Sequence, residues 1–592
     1  MVVGVYRVFH LLFVCSLLTI AQPRVHAQNL LSGAGWDLFT LHPGDAVFTE
    51  HPDQQHITSQ ARLHVSIKKS SAPYYRTELS TVLHQAVSDR LLLTFTARSS
   101  TKNPMRAVIE ENVSPWNSIA EASPTLTPDW KQYTISGTAP AYGPDGLGVR
   151  FQFGMQPGEI EIRDVVLTAL GPDPEVAKAR DAVKDASIED RIKKYRMGAL
   201  EIKVLNPDGT PAAGVSVHVS QQRHEFLFGC NLFGLNTGID SAAQREYQRR
   251  YAALFNYATL PFYWGDFQGD REHPKYDRND SMAAWCVEHG IKAKGHPLVW
   301  HEVYPSWAPA TAEETIPLLH ARIDDLISRY RNTISFWDVV NEANASAGMT
   351  NGESAWIKRD GPATVVQTAL QWSRDAVRRS NSGAKLIYND YIVNETNVSL
   401  LRELQKRSAL SDVIGLQSHM HDGVWPIETV WLTAQRFSQF GLPIHFTETT
   451  IVSGPRPAGN RNGSGPPWTT TPEGEVAQAD YVEKFYTVLF SHPSVHAITW
   501  WDFSDMGAWQ DAPAGFLRKD MTPKPVYDRL LNLIHKKWWT DAETKTGANG
   551  IAKVRGFYGD YKITVKSGSR TADVQFHLSY NSKDNLVRAR LQ

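Results

Sequence analysis

The chain has 592 residues, with 61 Lys and Arg set against 62 Asp and Glu for a net charge of −1. That length exceeds one ordinary domain, and 42% hydrophobic with 21% charged residues excludes both a disordered chain and a many-span membrane protein. The balanced charge gives no electrostatic footprint for nucleic acid. The aromatics are plentiful, with 18 Trp, 21 Tyr and 23 Phe, and they suit either sugar-ring stacking or a large core. Three cysteines cannot build a disulfide framework. Cys230 and Cys286 sit in apolar runs and are read as buried free thiols, and no Cys/His spacing resembles a zinc site. No metal or other cofactor is expected.

In chain order, Arg7, an apolar run from Leu11 to Ala21 and then Val25-His26-Ala27 predict a signal peptide over 1–27, cleaved after Ala27. The apolar run is too short to span a bilayer, so a secreted protein with no membrane span is expected. Residues 28–172 carry short alternating runs (RLHVSI, RLLLTFTA, GVRFQFGM) punctuated by Pro, Gly, Asn and Asp, the pattern of an antiparallel β-sandwich. Trp36, Tyr74, Tyr75, Trp116 and Trp130 are its candidate sugar-stacking rings, with some of them core. DWKQYTISGTAP followed by FQFGMQPGEIEIRDVVL resembles the end of carbohydrate-binding modules of families 4, 9 and 22. Residues 173–198 read as one charged amphipathic helix that serves as a spacer. Strand-like segments at 199–224 and 541–592 flank the next region, as a small sheet split between its two sides would.

Between 225 and 540 short apolar runs begin at 226, 256, 291, 334, 385, 413, 443 and 496. Helical periodicity follows each, at 241–254, 277–289, 311–330, 362–380, 397–409, 426–440, 474–491 and 523–535. Eight strand–helix units predict a (β/α)8 TIM barrel. The alternative, a doubly wound sheet, would carry a Gly-rich phosphate loop after its first strand, and none is present.

The strand ends hold the chemistry. The third runs into Gly295-His296 and on to Trp300-His301, the fourth into Asn341-Glu342, the fifth into Asn389-Asp390-Tyr391. The sixth ends at Gln417-Ser418-His419, the seventh at Glu448 and the eighth at Trp500-Trp501-Asp502. In a barrel these points converge on one face. One carboxylate at a strand end is commonly a helix cap, whereas two ringed by His, Asn, Gln and Trp point to glycoside hydrolysis. GHPLVWH at 295–301, WDVVNEA at 337–343, YNDY at 388–391, GLQSHM at 415–420, FTE at 446–448 and WWDFSDMGAW at 500–509 are similar to glycoside hydrolase family 10. That resemblance implies a retaining endo-1,4-β-xylanase, with Glu342 as acid/base and Glu448 as nucleophile. It also implies that Asn341 bonds the sugar 2-hydroxyl and that His419 holds the nucleophile. His296, Trp300 and Gln417 would line the non-reducing-side subsite, under a ceiling of Trp501 and Trp509.

Two departures from the family stand out. Leu260-Pro261-Phe262-Tyr263-Trp264-Gly265 replaces its Glu-Asn-x-x-Lys pattern, so that Pro261, Phe262 and Gly265 remove polar groups while Phe262, Tyr263 and Trp264 are expected to offer rings or bulk. Val303 stands where the family has Gln. The Gly/Pro-rich loop after the seventh strand is read as functional or disordered, with Trp468 a candidate cover for the product-side subsites. The expected partner is a xylan-type polysaccharide and the expected state a monomer. The readings kept beside the xylanase are a related β-glycanase on another decorated plant polymer and an inactive carbohydrate-binding protein.

Overall fold

Alternation in the N-terminal text becomes two antiparallel five-stranded sheets. In the computed structural model, one runs Asp37–Thr40, Thr77–Val82, Leu147–Gln152, Arg106–Glu111, Ser118–Ala122 across the sheet. The other runs Lys131–Tyr142, Val87–Ser99, Gly158–Gly171, Arg62–Ile67, Ala46–His51. Leu79, Phe95, Phe151, Ile160 and Ile162 fill the space between them. The structure describes residues 29–592 apart from 33–34, 41, 52–61, 70–75, 85–86, 113–117, 143, 347–348, 458–459, 461–464 and 581–584. The expected signal peptide, with Tyr74, Tyr75 and Trp116, therefore lies outside the described residues. The two candidate stacking rings that are described serve the fold. Trp36 stacks on Phe151 at 5.5 Å, and Trp130 lies beneath the guanidinium groups of Arg98 and Arg163.

The expected single spacer helix is two, Pro174–Ala182 and Asp185–Tyr195, broken at Val183-Lys184. Asp173 caps the first by accepting from the Glu175 amide at 2.8 Å. The charged text hides the break because each helix buries only a narrow stripe (Val176 and Ala179; Ile188 and Ile192). Both pack on the barrel. Arg191 of the second helix reaches across Trp431 and donates to Ser491 Oγ. The sandwich also touches the barrel directly, where Tyr142, hydrogen-bonded to Glu111, lies beside Thr429 and Arg436 of helix Ile427–Ser438.

The flanking strands form two small sheets around one core. Met197–Leu205 pairs with Ile551–Phe557 and Leu586–Arg590, and Ser216–His224 pairs with Asp541–Lys545 and Gly559–Ser567. Between them closes an eight-stranded parallel barrel. Its strands are β1 (Leu227–Asn231), β2 (Tyr257–Pro261), β3 (Lys292–His296), β4 (Ile334–Asn341), β5 (Lys385–Asp390), β6 (Val413–Met420), β7 (Ile444–Ile451) and β8 (Val495–Trp500). These strands are buried on both faces, which is why they read as nearly unbroken apolar runs. Helices follow each strand and share a continuous core with it. Among the described residues no helix is long and apolar enough to cross a membrane. Cys230 and Cys286 are buried and unbridged.

Candidate active site

All nine candidate site residues sit at the C-terminal ends of barrel strands or in the loops just beyond. Glu342 follows the last residue of β4 with a left-handed backbone (φ 58°), a conformation costly for a residue with a Cβ. Its amide is fixed by donating to the Asn389 carbonyl at 2.9 Å. The carboxyl accepts from Gln417 Nε2 at 2.8 Å, Asn341 Nδ2 at 3.1 Å and Trp300 Nε1 at 3.1 Å. Burial pushes it up to about 8, the negative charge of Glu448 adds to that, and the Gln417 donor opposes it.

Glu448, on β7, stands in the opposite field. Burial would raise its carboxyl, but His296 and His419, with Lys294 behind them, together hold it below the ordinary carboxylate value. Asn389 Nδ2 donates to its Oε1 at 2.7 Å and His419 Nε2 to its Oε2 at 3.2 Å. A carboxylate can only accept, so Nε2 of His419 carries the proton. In the neutral ring Nδ1 then accepts from Thr450 Oγ1, 2.9 Å away. His296 is oriented from behind, because Asp338 accepts from its Nδ1 at 2.7 Å and from Lys294 at 2.6 Å inside the barrel.

Two carboxyls are thus pushed apart, one kept protonated near neutral pH and one kept ionised, which is the division of labour that acid-assisted displacement requires. Aromatic rings wall the pair. Trp501, only 6% exposed, meets His296 and His419 edge-on at 5.4 and 5.7 Å. Trp509 is 48% exposed and lies over His419 and His421. Among the described residues no group of three or more His, Cys, Asp or Glu is placed to hold a metal ion.

Asn389, Thr450 and Tyr263 join this network although none is among the nine candidate residues. Asn389 had a visible signal, since it ends β5 in the YNDY segment and bonds Asn341 as well as Glu448. Thr450 lies two residues beyond Glu448 on the same strand, hence on the same face. Tyr263 packs 5.3 Å from His296 and 5.4 Å from Trp300, close enough that both glutamates raise its hydroxyl, after burial.

Of the three residues expected to offer rings or bulk in the altered 260–265 stretch, one does so at the site and two pack in the core. Phe262 is fully buried against Tyr330 and Trp337, and Trp264 is buried with its Nε1 donating to Gln268. Only Tyr263 reaches the site. β2 ends at Pro261 and the short helix Trp264–Phe267 begins at once, so alternation along the strand does not carry through the segment. Gly265 donates its amide to the Val303 carbonyl at 2.6 Å, and a Cβ there would lie 2.5 Å from that oxygen. Glycine is needed for this approach, and Val303 itself is held at φ 46°. Trp468 does not cover the cleft either. It is buried, bonds the Gly454 carbonyl and lies under Arg456.

A closed parallel barrel with a protonated and an ionised carboxyl at its C-terminal mouth defines a glycoside hydrolase of the TIM-barrel class. The model of glycosyl hydrolase family 10 matches residues 231–533, just over half of the chain, and the protein belongs to that family. Endo-1,4-beta-xylanase B of Thermotoga neapolitana is 26% identical over 292 residues, 46% of this chain and 78% of that one. Endo-1,4-beta-xylanase A of Caldicellulosiruptor saccharolyticus is 30% identical over 261 residues, 40% of this chain and 73% of that one. The crystal structure of xylanase 10B from Thermotoga petrophila RKU-1 with xylobiose covers 53% of this chain and 95% of its own, at 24% identity and a TM-score of 0.45.

Proposed function

We propose that the protein is a secreted endo-1,4-β-xylanase acting by double displacement, with Glu342 as acid/base and Glu448 as nucleophile. The observation that carries the reading is the opposite shift of two buried carboxyls in one hydrogen-bond network. In the first step Glu342 gives its proton to the departing glycosidic oxygen while Glu448 bonds the anomeric carbon. In the second, Glu342 takes a proton from water, which attacks the glycosyl ester. His419 and Asn389 stabilise the carboxylate that leaves when the ester breaks. Asn341, bonded to both Glu342 and Asn389, is positioned to meet the sugar hydroxyl beside the anomeric carbon. Trp300, Gln417 and His296 form the adjoining wall, with Trp501 and Trp509 above. The sandwich of residues 28–172 is read as a carbohydrate-binding module.

The relatives named as xylanases support xylan as the substrate. A related β-glycanase stays as the second reading because Pro261, Phe262 and Gly265 stand where the family has Glu, Asn and Lys, which leaves Tyr263 beside His296 as the side chain of that stretch at the site. Hydrolysis of a panel of xylan, arabinoxylan, mixed-linkage glucan, cellulose and mannan, with product sizing and NMR of the first-formed anomer, tests both. Retained β-anomers from internal cuts in xylan are expected. Inverted products would remove Glu448 from its role, and cleavage of another polymer in preference to xylan would favour the second reading.

A further inference from the structure

Trp509, 48% exposed, overhangs His419, the partner of Glu448, with ring centres 4.8 Å apart. It stands on a tight turn beyond β8 rather than on a strand. The two residues after it, Gln510 and Asp511, are both left-handed (φ 59° and 54°), a costly conformation for residues with a Cβ. The turn closes on itself, with the Asp511 amide donating to the Ala508 carbonyl at 3.0 Å and the Ala512 amide to the Trp509 carbonyl at 3.2 Å. Such strain persists only where the surroundings fix it. On one side Asp502, two residues beyond β8, accepts from the Trp509 amide at 3.1 Å. On the other side stands Arg456.

Arg456 lies in the loop after β7 and joins it to two others. Its Nε and Nη2 fork the two oxygens of Asp422, in the loop after β6, with Nη2 to Oδ2 at 3.0 Å. The same Nη2 donates to Gln510 Oε1 at 3.0 Å, in the loop after β8. The guanidinium rests on the Trp468 ring at 4.1 Å. Trp468 is itself anchored, donating Nε1 to the Gly454 carbonyl at 2.9 Å. It lies 6.3 Å from the buried His421, which meets Trp509 edge-on at 4.9 Å. One side chain thus ties three loops, and both routes out of it, the Gln510 amide and the Trp468–His421 contact, end at Trp509. Arginine suits the place because it offers a planar fork to a carboxylate, a further donor to an amide and a flat face to an indole. The Arg456 and Asp422 side chains are only 20% and 23% exposed, which sets them apart from a loose surface ion pair.

We propose that Arg456 is a positioning residue of the cleft: through Gln510 and Trp468 it holds the Trp509 indole over His419 and so sets how tightly polysaccharide is gripped. Glu342 and Glu448 draw their donors from other residues, Gln417, Asn341, Trp300, Asn389 and His419, so the bond-breaking steps do not pass through Arg456. The effect on affinity rests on the proposed reading of Trp509 as the ceiling over the substrate, whereas the clamp on the ring does not.

The test is a double-mutant cycle in the full chain, Arg456→Met, Trp509→Ala and both together, assayed on whichever polymer of the panel the parent cleaves fastest. Fluorine NMR of the same proteins labelled with fluorotryptophan follows the ring, the Trp509 resonance being identified by its loss in Trp509→Ala. Arg456→Met should displace or broaden that resonance and raise KM about fivefold, the order of one lost ring contact. Its kcat should stay within about twofold, because the interaction removed serves binding alone. In the Trp509→Ala background the same change should alter KM by less than about twofold, since the ring through which Arg456 acts is gone. A merely structural arginine would lower the melting temperature without this dependence on Trp509. Gln510→Asn suits the left-handed backbone yet withdraws the amide from Arg456, so it keeps the test open should Arg456→Met fail to fold. It should move KM and the resonance in the same direction. An equal KM effect with and without Trp509, or an unmoved Trp509 resonance in both Arg456→Met and Gln510→Asn, would overturn the proposal. A displaced resonance together with an unchanged KM in Trp509→Ala would refute the ceiling reading and leave the clamp standing.

Discussion

The charge of Glu448 is the second largest cause of the raised Glu342 carboxyl, after burial. Removing that charge should therefore retune the acid. Double displacement places the two carboxyls about 5–5.5 Å apart. At an effective dielectric of about 20, a unit charge at that distance is worth about 3 kcal/mol, or about 2 pH units at 1.36 kcal/mol each. Glu448→Gln should bring Glu342 down from about 8 to roughly 6. The same fall is expected when Glu448 is esterified by a 2-fluoro xylosyl group, because an ester is neutral. The group that gave a proton in the first step would then be ionised and ready to accept one in the second. Carbon-13 NMR of carboxyl-labelled glutamate measures this directly, with the Glu342 resonance identified by its loss in Glu342→Gln. A midpoint that moves by less than about half a unit would refute the coupling and, with it, the placing of these two groups as one reacting pair.

Glu342→Ala should keep first-step turnover on aryl glycosides with good leaving groups and lose polysaccharide cleavage, whereas Glu448→Ala should lose both; equal losses measured on both substrates reject the roles. Folding keeps Glu342 protonated up to about 8 against an ordinary 4.5. The native state therefore binds the extra proton across that window, and its stability falls as pH rises through it. Glu342→Gln should accordingly be more stable than the parent at pH 7, by on the order of 3 kcal/mol, and no more stable at pH 4, as read by paired thermal melts. Thr450→Val leaves Nδ1 of His419 without its hydroxyl and should weaken the His419–Glu448 bond, raising the acid limb of the kcat/KM profile and lowering kcat about tenfold, since an unmade buried bond costs about 1–3 kcal/mol.

The barrel was legible because its strands are buried on both faces and end in polar clusters that break the apolar runs. Asn341-Glu342 after FWDVV and Glu448 after IHFT are polar residues where packing alone calls for none, and the structure brings them into one network. What the sequence hid depends on where strands stop and slip. Gln417 faces Glu448 only after a register shift between β6 and β7, so counting alternation from the strand starts misplaces the partners. Tyr263 could not be separated from Phe262 and Trp264 because all three are aromatic, and burial among Tyr330, Trp337 and Tyr304 is a long-range fact. Thr450 looked like an ordinary β-branched strand residue. Only the bond to His419 gives it a role.

Several energetic costs lie at the catalytic end of the barrel. Glu342 is held in a left-handed conformation and its carboxyl is raised by burial and, after that, by the charge of Glu448. Glu353, eleven residues on, is fully buried with neither oxygen bonded among the described residues, and burial raises its carboxyl well above the ordinary value. Lys294, Asp338 and His296 form a charged cluster with no exposure to water, an arrangement that rarely repays its desolvation in stability. At the opposite end Phe228, Phe490 and Trp538 stack beneath the barrel floor. A barrel supports this division because its strands run rigidly from floor to mouth. Strain at the mouth is offset by packing below it and cannot relax by local rearrangement without breaking the closed sheet. The wall formed by Tyr263 follows the same logic. Its ring is fixed between Phe233, His296 and Trp300, and the Glu342 and Glu448 carboxyls beside it keep a donor on each of their oxygens.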